Sequence, residues 1–253
     1  MRRQWHLFLT AMMFFTRIPI PVKIPYGQDY LDGATRYFPL IGYLVGGICA
    51  LVYFLAQQLW SPEIALLFSM VSGVLVTGAF HEDGWSDMWD GFGGGWTKDR
   101  ILVIMKDSRI GAYGGIALVL LLLMKFFALR DLAPGPILWS IWTAHVLSRI
   151  MAGSVTYQYP YARAEDDPTA KPSIKRPQPV DLLFYLLFML IPLAFAPTLA
   201  FLWIILPAFL VRTYMAWYFK RWVGGYTGDC LGAIQQATEV TVYLSILAMI
   251  ALV

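Results

Sequence analysis

Between residues 81 and 95 the chain reads HEDGWSDMWDGFGGG, which puts Glu82, Asp83, Asp87 and Asp90 within nine positions. Wound as a helix at 100° per residue, Asp83, Asp87 and Asp90 fall within an arc of about 60° and make one acidic stripe. Glu82 lies about 100° to one side and needs a bend to join them. Three carboxylates on one stripe repel unless a cation compensates. Hard oxygen donors at this density suit Mg²⁺, Mn²⁺ or Ca²⁺ better than zinc or copper. Mg²⁺ commonly takes a few carboxylates and fills its shell with water and substrate phosphates. Asp83, Asp87, Asp90 and Glu82 are therefore the candidate metal ligands. Gly91 and Gly93 to Gly95 follow and permit a tight turn and close backbone approach to a ligand. An isolated Asp after an apolar run is usually a solvated loop residue; three at helical spacing ask for a task. His81 could orient a carboxylate, contact phosphate or sit at an interface.

A basic segment comes next, TKDRILVIMKDSRIGAYGG. Ile101, Ile104 and Met105 mark an apolar face. Lys106 and Arg109 are three apart and share a side of a turn. Arg suits bidentate phosphate contact and Lys supplies a point charge. Gly111 and Gly114 open a helix whose first amides attract an anion. Asp107, between two cations, is either their ion-pair partner or another metal ligand. Near the C-terminus GGYTGDCLGA places Thr227 and Asp229 among glycines. Asp229 is a helix cap, a metal ligand or a general base. Arg17 and Arg36 frame the first polar segment. The bland alternative for Arg17, Arg36 and Arg100 is anchoring at a charged membrane surface.

These motifs need elements that bring them to one place. The 253 residues are 58% hydrophobic and 14% charged, with mean hydropathy +0.60. Soluble domains carry about 25% charge, so the composition describes a membrane protein. Spanning helices are expected over about 37–59, 62–80, 111–130, 137–157, 181–196, 198–219 and 234–253, with 83–90 continuing the second. Pro192 and Pro197 interrupt the fifth region. The N-terminal MRRQWHLFLTAMMFFTRIP lacks a cleavage site and reads as a retained interfacial helix. The expected fold is all-α: a polytopic membrane helix bundle of about seven transmembrane helices plus that helix, forming one domain over 1–253. With residues 1–36 cytoplasmic and the spans alternating, loops 81–110, 158–180 and 220–233 face the same side. Of 19 basic residues, only Lys125 and Arg130 then fall toward the other face, the asymmetry the positive-inside rule describes. Net charge is +3, which suits anionic lipid and anionic substrates. Cys49 and Cys230 alone make no disulfide framework. Carboxylates, cations and glycine turns on one membrane face are the groups phosphoryl transfer needs, since its catalysis is mostly positioning and charge neutralisation.

HEDGWSDMWDG, IMKDSRIGAYG and GGYTGD with LGA, preceded by TRIPIP and FPLIG, resemble the signature blocks of the cobalamin synthase family, also called adenosylcobinamide-GDP ribazoletransferase. The blocks occur in the family's order and cover essentially the whole chain. The resemblance implies a multi-pass enzyme of the cell inner (cytoplasmic) membrane that requires Mg²⁺. Such an enzyme joins adenosylcobinamide-GDP to α-ribazole, or to α-ribazole 5′-phosphate, and releases GMP. Carried over by position, the family's acidic residues are Asp83, Asp87, Asp90, Asp107 and Asp229. His81, Lys106, Ser108 and Arg109 match its polar positions. Asp229, Asp107 and His81 are thus the expected catalytic residues. Lys106, Arg109, Ser108, Arg100, Arg17, Arg36, Thr227, Gly111 and Gly114 are the expected substrate contacts. Glu82 stands where the family commonly has an apolar residue, which weakens it as a ligand. A looser likeness to CDP-alcohol phosphotransferases is an analogy only, because the Asp and Gly spacing differs. The expected partners are these small substrates and lipid, with no nucleic acid; a homo-oligomer is left open. The rival readings are a cation transporter, which needs acidic groups near the bilayer midplane, and a structural membrane subunit.

Overall fold

The computed structural model describes residues 2–24, 27–132, 135–163 and 179–252. Eleven α-helices are present among them: α1 (Arg2–Phe15), α2 (Gln28–Ala34), α3 (Phe38–Ala56), α4 (Pro62–Thr77), α5 (Phe80–Gly94), α6 (Lys98–Ile104), α7 (Ala112–Leu132), α8 (Ile137–Ser154), α9 (Pro179–Ala194), α10 (Ile205–Val223) and α11 (Gly228–Ala251). Short 3-10 turns lead into α3 and α10 and follow α8. No strand occurs among the described residues beyond one bridge between Tyr161 and Tyr226.

Helices occupy all seven segments expected to span, and the protein is an all-α polytopic bundle. Four stretches are long and apolar enough to cross a membrane alone: Asp29–Ala56, Ala112–Leu132, Leu199–Val223 and Gly228–Ala251. A fifth counts if α4 and α5 are taken as one broken span. α8 is 18 residues long with 14 of them buried, so its Ser140, Thr143, His145, Ser148 and Arg149 are shielded by other helices. The outer helices carry the opposite signature. On α7, Ile116, Val119, Leu120, Leu123 and Phe127 are all exposed, an apolar belt of the kind lipid covers.

Two local devices set the packing. Gly42 and Gly46 on α3 let it approach α8 closely; a Cβ on Gly42 would sit 2.6 Å from the His145 carbonyl oxygen. This is the small-xxx-small contact of membrane helices. Pro192 lies inside α9 and cannot donate to the Phe188 carbonyl four residues back. The Tyr43 hydroxyl donates to that carbonyl instead and ties α3 to α9.

One end of the bundle gathers the polar segments. Ser61 and Pro62 start α4 in the usual way, with a hydroxyl cap and a proline in the first turn. α4 ends at that face where Gly78 (φ 68°) and Ala79 (φ 60°) both adopt the left-handed conformation. The chain turns 86° there. The stretch 83–90 is therefore not a continuation of the span, as the sequence suggested; it belongs to a separate helix laid across the face. Arg17 secures the elbow. Its backbone N–H donates to the Val76 carbonyl at 2.7 Å, and its side chain lies over Gly78, where a Cβ would clash. Arg36 pairs with Asp181 at 2.8 Å and Tyr185 donates to the Thr35 carbonyl, joining α9 to the turn before α3. The expected cytoplasmic residues Lys171, Lys175 and Arg176 lie outside the described residues.

Candidate active site

α5 carries the acidic stripe and is held by two helix N-termini. Gly84 sits directly on Asp229, where a Cβ would come within 3.0 Å of the Asp229 backbone. That contact lays α5 over the first turn of α11. On its other flank, Trp85 Nε1 donates to the Ala117 carbonyl at 3.0 Å, and Ser86 packs against Gly114 of α7.

Asp83 is exposed and Asp87 half-buried on this helix, facing Asp229. Burial, then the charges of Asp83, Asp229 and Asp90, push the Asp87 carboxyl up to about 7. A carboxylate so strained is short of positive charge. Asp229 Oδ2 accepts from Arg163 at 3.1 Å and from the Thr227 hydroxyl at 3.2 Å. Thr227 also caps α11 by accepting from the Cys230 N–H. Asp229 itself is thus not the cap. Thr227 and Arg163 orient its carboxylate toward the stripe. Arg163 was not singled out in the sequence; its only signal there is a basic residue ahead of the acidic pair Asp166 and Asp167.

The metal quartet expected from the sequence does not assemble. Among the described residues no three His, Cys, Asp or Glu side chains converge closely enough to hold an ion. Two of the four have other partners. Asp90 is buried and accepts from the Gly111 N–H at 2.7 Å and the Gly114 N–H at 2.8 Å. The anion expected at the start of α7 is this residue, which caps the helix from 21 and 24 positions away. Glu82 points into the bundle and accepts from Gln236 Nε2 at 3.0 Å. Asp83, Asp87 and Asp229 remain as the carboxylates that share the face.

The structure also separates the other expected residues. Asp107 is the ion-pair partner of Arg109, at 2.7 Å, with the Arg109 N–H donating to it as well. Those bonds hold its carboxyl down to about 2, which unsuits it as a base. Lys106, Ser108, Arg109 and Arg100 are exposed on the loop and helix after the glycine turn. Arg17 and Arg36 are tied into the elbow and to Asp181, outside the stripe. His81 is 2% exposed and stacks beside Phe38, on the far side of α5 from the solvent.

Beneath the site lies a polar cluster the sequence did not announce. Lys125 of α7 and Glu239 of α11 form a buried ion pair at 2.9 Å. Gln235 donates to Glu239 and to Ser148, and Arg149 donates to the His145 carbonyl. Charge thus reaches the interior of the bundle, and the buried Glu239 carboxylate has a cation against it.

The family model described as cobalamin-5-phosphate synthase matches residues 7–248. A protein of Shewanella frigidimarina (strain NCIMB 400) named adenosylcobinamide-GDP ribazoletransferase is 46% identical over 250 residues, covering 98% of this chain and 96% of its own. A Vibrio cholerae (strain ATCC 39541) protein of the same name is 44% identical over 253 residues, covering 99% and 96%. No solved structure matches the chain. The chain belongs to the cobalamin-5-phosphate synthase family.

Proposed function

We infer that this protein is an adenosylcobinamide-GDP ribazoletransferase of the inner (cytoplasmic) membrane, acting as a Mg²⁺-dependent phosphotransferase with its site on the cytoplasmic face. One observation supports the reading: Asp83 and Asp87 of α5 lie close enough to Asp229 of α11 for their charges to act on one another's carboxyls. The donor set fits Mg²⁺, since it is all hard oxygen and, among the described residues, only the weaker pull of Arg163 offsets the charge on Asp87. Asp83 and Asp87 would hold the ion, which when bound neutralises the diphosphate and the leaving GMP. Two protein carboxylates suffice, because substrate phosphates and water complete its shell.

Lys106 would meet nonbridging oxygens, and Arg109, held by Asp107, would present its remaining guanidinium donors beside it. A ribose hydroxyl of the ribazole other than the 5′ one attacks the phosphorus attached to cobinamide, so that a 5′-phosphate, where present, stays intact in the product, as the family's description requires. A new O–P bond forms, the P–O–P bridge to guanosine breaks, and GMP leaves with the bridging oxygen. The attacking hydroxyl loses its proton to Asp229, the carboxylate that Arg163 and Thr227 orient.

Purified protein in lipid should release GMP from adenosylcobinamide-GDP only when ribazole is present. Asp83→Ala or Asp87→Ala should reduce that release at least 10³-fold while the protein still inserts, in line with losing preorganised charge stabilisation. Full activity of either variant at saturating Mg²⁺ would remove it from the site.

A further inference from the structure

The one strand-like pairing among the described residues joins the segment after α8 to the segment before α11. Tyr161 bridges Tyr226 in parallel: the Ala162 N–H donates to the Tyr226 carbonyl at 2.9 Å, and the Tyr226 N–H donates to the Pro160 carbonyl at 3.0 Å. Gly225 packs so tightly on the Pro160 carbonyl that a Cβ would clash. Arg212 of α10 fastens the root of the first segment by donating to Ser154 and Gln158. The clamp is made of main chain and needs nothing from the Arg163 side chain, one residue beyond it. It delivers that side chain to Asp229, three residues past Tyr226, with Nη2 at 3.1 Å from Oδ2. The two side chains are 18% and 23% exposed, so a ligand can still meet them, whereas the Lys125–Glu239 pair is sealed at 6% and 4%. Among the described residues Arg163 is also the cation that acts most on Asp87. Its guanidinium therefore stands beside both the expected base and a carboxylate expected to hold the ion.

We propose, resting on the transferase reading, that Arg163 is a further catalytic residue: Nη2 holds the base Asp229, and the rest of the guanidinium binds a nonbridging oxygen of the phosphorus under attack. A guanidinium carries five N–H donors in a planar fork, and the bond to Asp229 uses one of them. The attacking hydroxyl gives up its proton at Asp229, and the diphosphate is neutralised from Asp83 and Asp87. The phosphorus accordingly lies in the space that these carboxylates and Arg163 border. As the new O–P bond forms and the bond to GMP breaks, negative charge builds on the two nonbridging oxygens. A cation fixed there beforehand stabilises that charge most. Burial decides which cation contributes most. The Arg109 side chain is 87% exposed and bonded to Asp107, so water and salt screen it. Arg163 is largely shielded, where the same contact is several times stronger. Its double contact also fixes the base and the phosphorus relative to each other, as in-line attack requires.

Binding without the acceptor separates this role from orientation of the base. Equilibrium dialysis of the full-length protein in nanodiscs, with Mg²⁺ and no ribazole, compares adenosylcobinamide-GDP with adenosylcobinamide, which lacks the diphosphate. Arg163→Ala should weaken the first about tenfold, the loss expected for one hydrogen bond to a charged group, and leave the second within about twofold. The same loss should appear in an Asp229→Asn background, where the carboxylate charge that Arg163 offsets is gone. Its disappearance there would make Arg163 a positioning residue and overturn the proposal. In turnover, sulfur in place of either nonbridging oxygen of that phosphorus gives two diastereomers, and wild type should use both more slowly. Arg163→Ala should be about 10²–10³-fold slower on the oxygen substrate and should erase the sulfur effect for one diastereomer only. Sulfur effects unaltered in Arg163→Ala overturn the proposal whatever its rate. Arg163→Lys keeps the charge beside Asp229 but loses the planar fork. It should show both losses, and wild-type behaviour in it overturns the proposal even if Arg163→Ala does not fold. Arg163-dependent binding of adenosylcobinamide-GDP, in a protein that transfers nothing, keeps the diphosphate contact and overturns the transferase reading. Transfer at full rate in both variants does the reverse, and neither binding nor transfer ends both.

Discussion

Asp87 carries the most informative electrostatics in the molecule. Its carboxyl is raised to about 7 by burial and by three neighbouring aspartates. A raised carboxyl is one whose folded form holds a proton that the unfolded chain has already released. The stability it lends is therefore present at low pH and is lost as pH climbs toward 7, unless a cation takes the proton's place. Metal and proton compete for the same oxygens. Mg²⁺ affinity should fall about tenfold from pH 8 to pH 6, the change expected for one competing group titrating near 7. Isothermal titration calorimetry at the two pH values checks this, and a flat profile would detach Asp87 from the ion. At this scale the sequence was partly legible. The spacing 83, 87, 90 set three carboxylates along one helix, and that helix is α5. It could not show that Asp90 is consumed by two amides, because that cap is made across 21 and 24 residues. Asp107 was left open between ion pair and ligand, and local geometry with Arg109 settles it as the ion pair.

α5 is an element defined by what interrupts and what holds it. Two left-handed residues separate it from α4, and one of them, Ala79, is not glycine. A non-glycine in that conformation costs about 1 kcal/mol, so nothing in local propensity marks the turn at Ala79. That is why the sequence read as a straight run through Phe80. At the other end the Asp90 cap fastens α5 to α7. Asp90→Ala should destabilise the protein by about 1–2 kcal/mol, the usual loss on removing a helix cap. Amide exchange should quicken first at Gly111 and Gly114. If exchange there is unaltered while turnover vanishes, Asp90 serves the reaction and not the helix. The expected helices were recovered because long apolar runs announce themselves by length and period. The Gly42 and Gly46 spacing that docks α3 on α8 was also present in the sequence as a small-xxx-small pattern; only the identity of the partner helix needed coordinates.

The bundle as a whole encloses more charge than its composition advertises. Lys125 and Glu239 lie on helices apolar enough to cross a membrane, so each reads alone as an isolated polar residue. Their pairing depends on how α7 and α11 rotate against each other, which no local pattern encodes. A transporter requires an acidic group free to meet its ion inside the membrane, whereas Glu239 is bonded to Lys125, Gln235 and Tyr243. Glu239→Gln should destabilise the protein by about 3–5 kcal/mol, because it strands a buried cation. Replacing both residues, as Lys125→Met with Glu239→Leu, should cost less and keep turnover. Thermal unfolding followed by tryptophan fluorescence in nanodiscs checks the order of the two. If the double variant folds but does not turn over, the pair belongs to the reaction.

The elbow at Gly78 and Ala79 also ties the chemistry to the thickness of its surroundings. α4 has 16 residues and so is a rod of about 24 Å, and the acidic helix is hung at a right angle from its tip. A bilayer that is too thick or too thin tilts such a rod rather than stretching it. Tilting would raise or sink Asp83 and Asp87 against the phosphate layer of the lipids. Turnover in vesicles should therefore pass through an optimum as acyl chains are lengthened, while the same protein in a short-chain detergent micelle, which adapts to its guest, should show no such optimum.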